Sequence, residues 1–331
     1  MRIAIAVCLL LSGCRGSSER IRVRIADIGP GLQMVNFPVS FAEALGYYNE
    51  EGLDVTLEKF QSSARTMQAL IGGSADAASM GYSLTIQVAA QGQHVRSFFV
   101  AGRRASNVLV VAPAASKRIR RVEDLKGRVV GVSAPGAPVH LWTNYYLAAH
   151  GIGSSDISFV GIGIGQSAIA SLESGRIDAG SLSGGDHILF IRRNPSARIL
   201  VDGTSPEVMR ETFGGDLYAN GIFAAKQEWL GRNPDTARRL GRALVRTQKW
   251  ILTHTPEEIR ERLPDSLRTR DASLDTEIIR WGRASYTTDG RMPNGAPEAM
   301  KRFLDATVDN VRDSRIDLAG TWTNEFLPEA K

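Results

Sequence analysis

Cysteine is nearly absent from this chain of 331 residues. There are two, Cys8 and Cys14, and none follows them. A disulfide framework and a cysteine-based metal site are therefore excluded for the folded body. Histidine is also scarce, with five residues that do not cluster, so no metal ligand set is expected and zinc is not supported. No Walker loop, His-Glu-x-x-His or Gly-x-Ser-x-Gly motif occurs. After the first segment no apolar run reaches the roughly 18–20 residues that a bilayer span needs. The formal net charge is +5, but the basic residues are scattered in small groups such as Arg103-Arg104, Arg120-Arg121 and Arg192-Arg193. Without an aromatic-interleaved basic stripe these groups read as solvated surface, and no nucleic-acid partner is expected.

What is present begins with an address. Met1-Arg2 is followed by an apolar run from Ile3 to Leu11 and then by Ser12-Gly13-Cys14. A positive start, a short apolar stretch and small residues form a secretory signal pattern. Leu11-Ser12-Gly13-Cys14 resembles a bacterial lipobox, which implies cleavage before Cys14 and lipidation of its thiol. The expected organisation is a signal peptide over 1–13 and a lipid-anchored tether over 14–21, placing the body in the periplasm or at the cell surface.

From residue 21 strand and helix signals alternate. Ile21 to Ile28 is β-rich, and Phe41, Leu45 and Tyr48 form a helical stripe between Phe37 and Asn49. Leu53 to Phe60 alternates apolar and polar residues. Ser62-Ser63 precede an apolar helix as hydroxyl caps. The succession predicts an α/β fold with parallel-rich sheets covered by helices. The pattern restarts at Val129. An internal echo accompanies it, because Leu70 to Met80 and Leu172 to Leu182 both run from a helix end through Gly to Asp-Ala and Ser. Two copies of one α/β unit follow from this. After Ala224 strand signals fade, and Asn233-Pro234-Asp235 opens a long helix. Gly163-Ile164-Gly165-Gln166-Ser167-Ala168 fits a dinucleotide-loop pattern, yet it is not in the first βαβ unit and no cofactor is expected.

Three ordered stretches carry a family resemblance. Ser40 to Val55 (Ser-Phe-Ala-Glu-Ala-Leu-Gly-Tyr-Tyr-Asn-Glu-Glu-Gly-Leu-Asp-Val), Leu70 to Ser79, and Val122 to Val132 with its Asp124-Leu125-Lys126-Gly127 core resemble the nitrate/sulfonate/taurine family of solute-binding proteins. The resemblance covers roughly residues 22–225. It implies a type II periplasmic-binding fold: two α/β lobes joined by two crossover strands, with a helical C-terminal tail packed on lobe one. Lobe one is expected over 22–108 and 220–331, and lobe two over 112–217. It further implies a monomer that holds a small polar or anionic solute between its lobes and delivers it to an ABC permease in the inner membrane. An enzyme is not expected. Same-fold enzymes of pyrimidine synthesis carry a cysteine-rich cluster, and those of menaquinone precursor synthesis are cytosolic. The alternatives are such a same-fold enzyme of pyrimidine or menaquinone precursor metabolism, or a ligand-sensing lipoprotein without a transporter.

Ligands of open α/β sheets sit beyond the carboxyl ends of the strands, where helix N-termini point. Turns in that position supply the expected ligand contacts: Gly31; Ser62 and Ser63; Met80, Gly81 and Tyr82; Ser133, Gly136, Ala137, Pro138 and His140; and Ser183 with Gly184. Asp76 and Asp178 recur in both halves and are expected to brace turns.

Overall fold

The computed structural model describes residues 20–29 and 32–329. The expected signal peptide, the lipidation site Cys14 and the expected contact Gly31 lie outside the described residues. Among the described residues β1 (Ile21–Ile28), β2 (Leu53–Phe60), β3 (Ala77–Met80) and β4 (Val95–Gly102) belong to one sheet. A second sheet is built by β5 (Val108–Val111), β6 (Val129–Val132), β7 (Ser158–Gly161), β8 (Ala179–Leu182) and β9 (Arg198–Asp202). The chain then returns, as β10 (Asn220–Lys226), to the first sheet.

The strand orders are β2-β1-β3-β10-β4 and β7-β6-β8-β5-β9. In each sheet three neighbouring strands are parallel, and the strand supplied from the other side of the crossover inserts antiparallel at the fourth position. The two sheets thus share one plan. The chain passes between them twice, through 103–107 and through 203–219. β5 reads Val-Leu-Val-Val and is buried along its whole length, as expected of a strand covered on both faces. This is the two-lobed α/β architecture with crossovers that the resemblance implies.

The echoed aspartates explain the repeat in physical terms. Asp76 accepts from the backbone N–H of Arg24 on β1 at 2.9 Å, and its own N–H returns a bond to the Arg24 carbonyl at 2.8 Å. Asp178 does the same with Val129 on β6, at 3.1 and 2.9 Å. One carboxylate locks the start of β3 to β1, the other the start of β8 to β6. Both stand at the strand ends opposite the carboxyl edge.

The stripe expected as one helix over Phe37 to Asn49 forms two, Phe37–Ala44 and Tyr47–Glu50. They are separated because Gly46 takes φ 76°, a conformation open to glycine without steric cost. In the tail, Pro234–Thr253 buries Leu240, Leu244, Thr247 and Ile251. It packs on Phe37–Ala44 of lobe one, with Trp250 edge-on to Phe41 at 5.5 Å. The tail also reaches lobe two. Phe303, on the helix Ala296–Thr307, sits among Tyr145, Phe213 and Tyr218 with ring centroids 5.0, 5.6 and 6.1 Å away. Many of the scattered basic residues, Arg103, Arg121, Arg192 and Arg193 among them, are engaged in ion pairs. Arg104, beside the first crossover, makes a two-point contact with Asp216 beside the second, at 2.8 and 2.9 Å.

Candidate functional site

The carboxyl edges of the two sheets face each other across a cavity of about 40 Å³. Lobe one contributes Ile28 at the end of β1, Gln33, Val35 and Asn36 from the following loop, Ser62 and Ser63 at a helix start, and Asn220 at the start of β10. Lobe two contributes Ser133, Pro138 and Val139, Ile164, and Ser183. The crossovers add Ser106, Asn107 and Tyr218. The wall therefore offers serine hydroxyls and amide groups on an apolar frame, with no formally charged side chain. The space suits a small molecule.

Five of the expected contacts, Ser62, Ser63, Ser133, Pro138 and Ser183, are brought together here. Ser62 is also the N-cap of Ser63–Gly72, its Oγ accepting the Arg65 N–H at 3.4 Å, so capping and cavity lining coincide. The others are placed elsewhere. Met80 is buried at the end of β3, opposite Ile222 of β10. Tyr82 is fully buried, and its hydroxyl pairs with Thr321 of the C-terminal segment at 2.6 Å. Gly136, at φ 76°, donates its N–H to His140 Nδ1 at 3.0 Å, and the His140 ring meets the edge of Phe159. Burial lowers the His140 pKa, which favours the neutral acceptor this bond requires. Ala137 is the buried N-cap of Pro138–Ala149.

Gly81 and Gly184 act where the lobes touch. A Cβ on Gly81 would stand 2.6 Å from Cγ of Pro138 in the opposite lobe. A Cβ on Gly184 would stand 2.1 Å from Gln33 Oε1, and the Gly184 carbonyl accepts the Met34 N–H at 3.3 Å. Both turns owe their role to close approach of backbone.

Behind the cavity floor Asp27 is fully buried. Its carboxylate accepts from Ser40 at 2.6 Å, from Lys59 at 2.5 Å, and from Asn36 and Ser79. Four donors on one carboxylate hold Ser79 of β3, Ser40 of the first helix, Asn36 at its N-cap, and Lys59 of β2 in fixed relation.

The dinucleotide-like loop has an internal occupant. The Gly165 N–H donates to the Asp186 carboxylate at 2.7 Å, while Gln33 of the other lobe donates to the same carboxylate at 3.3 Å. Burial pushes the Asp186 pKa up from 3.8 to about 6. The sign follows directly. A carboxylate whose pKa is raised by folding destabilises the fold once it is ionised, fully above about pH 6, and the penalty fades as pH falls toward 3.8. A rise from 3.8 to about 6 corresponds to roughly 3 kcal/mol. Asp186→Asn is therefore expected to raise the melting temperature at pH 7.5 and to converge with the parent near pH 4. Melting curves across that range check it, and a constant difference at every pH would refute it. Next to Asp186, burial lowers the His187 pKa to about 4, so the ring packed on Trp281 is neutral at pH 7. A wider space of about 230 Å³, lined by Leu32, Leu274 and Ile278 with Gln33 and Asp186, opens beyond this contact.

Pattern reading missed Asn36, Asn107, Tyr218 and Asn220. Asn36 precedes Phe-Pro and looks like a helix start. Asn220-Gly221 looks like a turn, but lies in β10 with Gly221 at φ 59°. Only the folding of β10 back into the first sheet brings it to the cavity.

The profile of the family described as NMT1/THI5 like matches residues 34–259. YtlA of Bacillus subtilis (strain 168) is 25% identical over 313 residues, which cover 91% of this chain and 88% of that protein. A solved structure from Bordetella bronchiseptica RB50 is 32% identical with a TM-score of 0.84, covering 93% of this chain and 96% of that one. The alkanesulfonate-binding protein SsuA from Xanthomonas axonopodis pv. citri, bound to MOPS, superposes with a TM-score of 0.74 at 17% identity. The match covers 93% of this chain and 99% of that one. This last likeness is one of fold.

Proposed function

The chain belongs to the NMT1/THI5-like family, and on that premise we propose that it is a solute-binding protein whose lobes close on one small polar molecule. The polar cavity between two lobes that meet through backbone contacts carries this reading. Hinge bending at 103–107 and 203–219 opens and closes the site. In this reading residues 22–108 with 220–331 move as one lobe against 112–217. The signal pattern and the lipobox at Cys14 support anchoring outside the cytoplasm. The two-lobed form supports delivery to an ABC permease as a monomer, in line with the binding role named for the sulfonate receptor of the same fold. No chemical step on the ligand belongs to this role.

Closure is the observable. Cysteine is absent from residues 20–331, so single cysteines at the exposed positions Arg65 and Gln166 place one dye on each lobe. Adding a protein-free small-molecule extract of the source cells is expected to shorten the dye separation, and dialysis to restore it. An unchanged separation at all extract concentrations would sink the proposal.

A further inference from the structure

Asn36 is 1% exposed and lines the cavity. Its amide nitrogen donates to the Asp27 carboxylate and, at 3.3 Å, to the Ile28 carbonyl. Turning the amide over would set its oxygen against two acceptors, so its orientation is determined by its neighbours. Asp27 cannot turn to accommodate the alternative, because Ser40, Ser79 and Lys59 hold its carboxylate. The Asn36 Oδ1 is left as a buried acceptor with no partner among the described residues. Such groups are rare in folded proteins and call for a donor.

Among the described residues the rest of the wall does not supply one. Ser63, Ser106, Ser133 and Ser183 line the same space without bonding Asn36. Their hydroxyls can donate or accept, so they adapt to a ligand. Asn36 cannot, since an amide oxygen only accepts.

We infer that the bound solute donates a hydrogen bond from an N–H or O–H group to Asn36 Oδ1, and that Asn36 thereby selects small donor-bearing molecules, uncharged amides and ureas first, over anions that carry no hydrogen. The inference rests on the solute-binding reading and narrows it. Nitrate, or a sulfonate at neutral pH, presents only oxygen lone pairs and would face Asn36 acceptor to acceptor. The uncharged lining agrees, because an anion enclosed here would meet no cationic side chain.

Isosteric pairs test this by calorimetry on the purified full chain. Urea and nitrate are planar and have four heavy atoms each; acetamide and acetate are a second pair. Urea and acetamide are expected to bind at least about tenfold more tightly than nitrate and acetate, since leaving a buried polar group unpaired has a cost of that order. Millimolar urea does not unfold proteins, which takes molar concentrations. Asn36→Leu should erase the preference. Because that variant can also disturb Asp27, acetone provides the same test on the unaltered chain: planar, with four heavy atoms like urea but no N–H or O–H group, it should lose the binding that urea shows. Nitrate or acetate binding as tightly as its partner overturns the inference and leaves the solute-binding reading standing. So does lobe closure with cell extract when neither urea nor acetamide binds. Failure of the extract to close the lobes removes the reading itself, and the inference with it.

Discussion

Gly81→Ala should weaken solute binding roughly 5- to 150-fold while leaving the ligand-free protein folded. The added Cβ would lie 2.6 Å from Cγ and 3.0 Å from Cβ of Pro138. Pro138 is the first residue of the helix Pro138–Ala149, and its ring cannot swing away as the end of a long side chain could. Overpacking of this kind costs about 1–3 kcal/mol. The contact joins two lobes, so the cost falls on the closed state alone, and a penalty on the binding-competent state lowers apparent affinity by the matching factor. Gly81 does not have positive φ, which leaves alanine compatible with its backbone. Titration calorimetry with a ligand found by the closure assay, together with urea unfolding of the free protein, separates the two effects. Unchanged affinity would mean that the Gly81 turn does not limit closure. A stability loss equal to the affinity loss would mean that the contact belongs to the fold.

Asp27→Asn is expected to remove about 3 kcal/mol of stability and most of the solute affinity. The carboxylate accepts from Lys59, Asn36, Ser40 and Ser79, and an amide of the same shape turns one oxygen into a donor facing donors. Breaking a buried ion pair by changing one partner costs about 3–5 kcal/mol. The low end applies because the Lys59 side chain keeps 33% of its exposure and reaches water. Affinity falls because Asn36 loses the bond that orients its amide toward the cavity. The urea midpoint should drop by roughly 1 M or more. Retention of the midpoint within a few tenths molar would show that Asp27 does not organise the floor of the site. This network stands in the opposite relation to Gly81: one change acts on folding and binding together, the other on closure.

How the cleft is built also explains which of its residues pattern reading could reach. Ser62, Ser63, Ser133, Pro138 and Ser183 follow strands or open helices, and that grammar is local. Helix-start residues at strand ends must point to the carboxyl edge, so their place in the cavity follows from secondary structure alone. Tyr82 and His140 lie in the same turns but point away, because side-chain direction within a turn depends on what packs against it. For Tyr82 that is Thr321, 239 residues distant in sequence. Asn36 and Asn220 carry no local mark of function. The first looks like a cap and the second like part of a turn; one is oriented by Asp27, the other is delivered by a strand that returns from the opposite lobe.

By itself, the order of residues determined the two α/β copies, the aspartates that brace them, the family, and the hydroxyl-bearing turns of the cleft. The family rests on the resemblance of three ordered stretches; the others rest on periodicity, turn chemistry or short spacing, all expressed within a few residues. Tertiary structure alone decided that the tail touches both lobes, that Gly165 holds an internal carboxylate, that Gly81 meets Pro138, and that Asn36 lines the cavity with a side-chain oxygen left unpaired among the described residues. Those features depend on pairs of groups far apart in the chain, and no local pattern encodes which distant partner will satisfy a hydrogen bond or fill a gap.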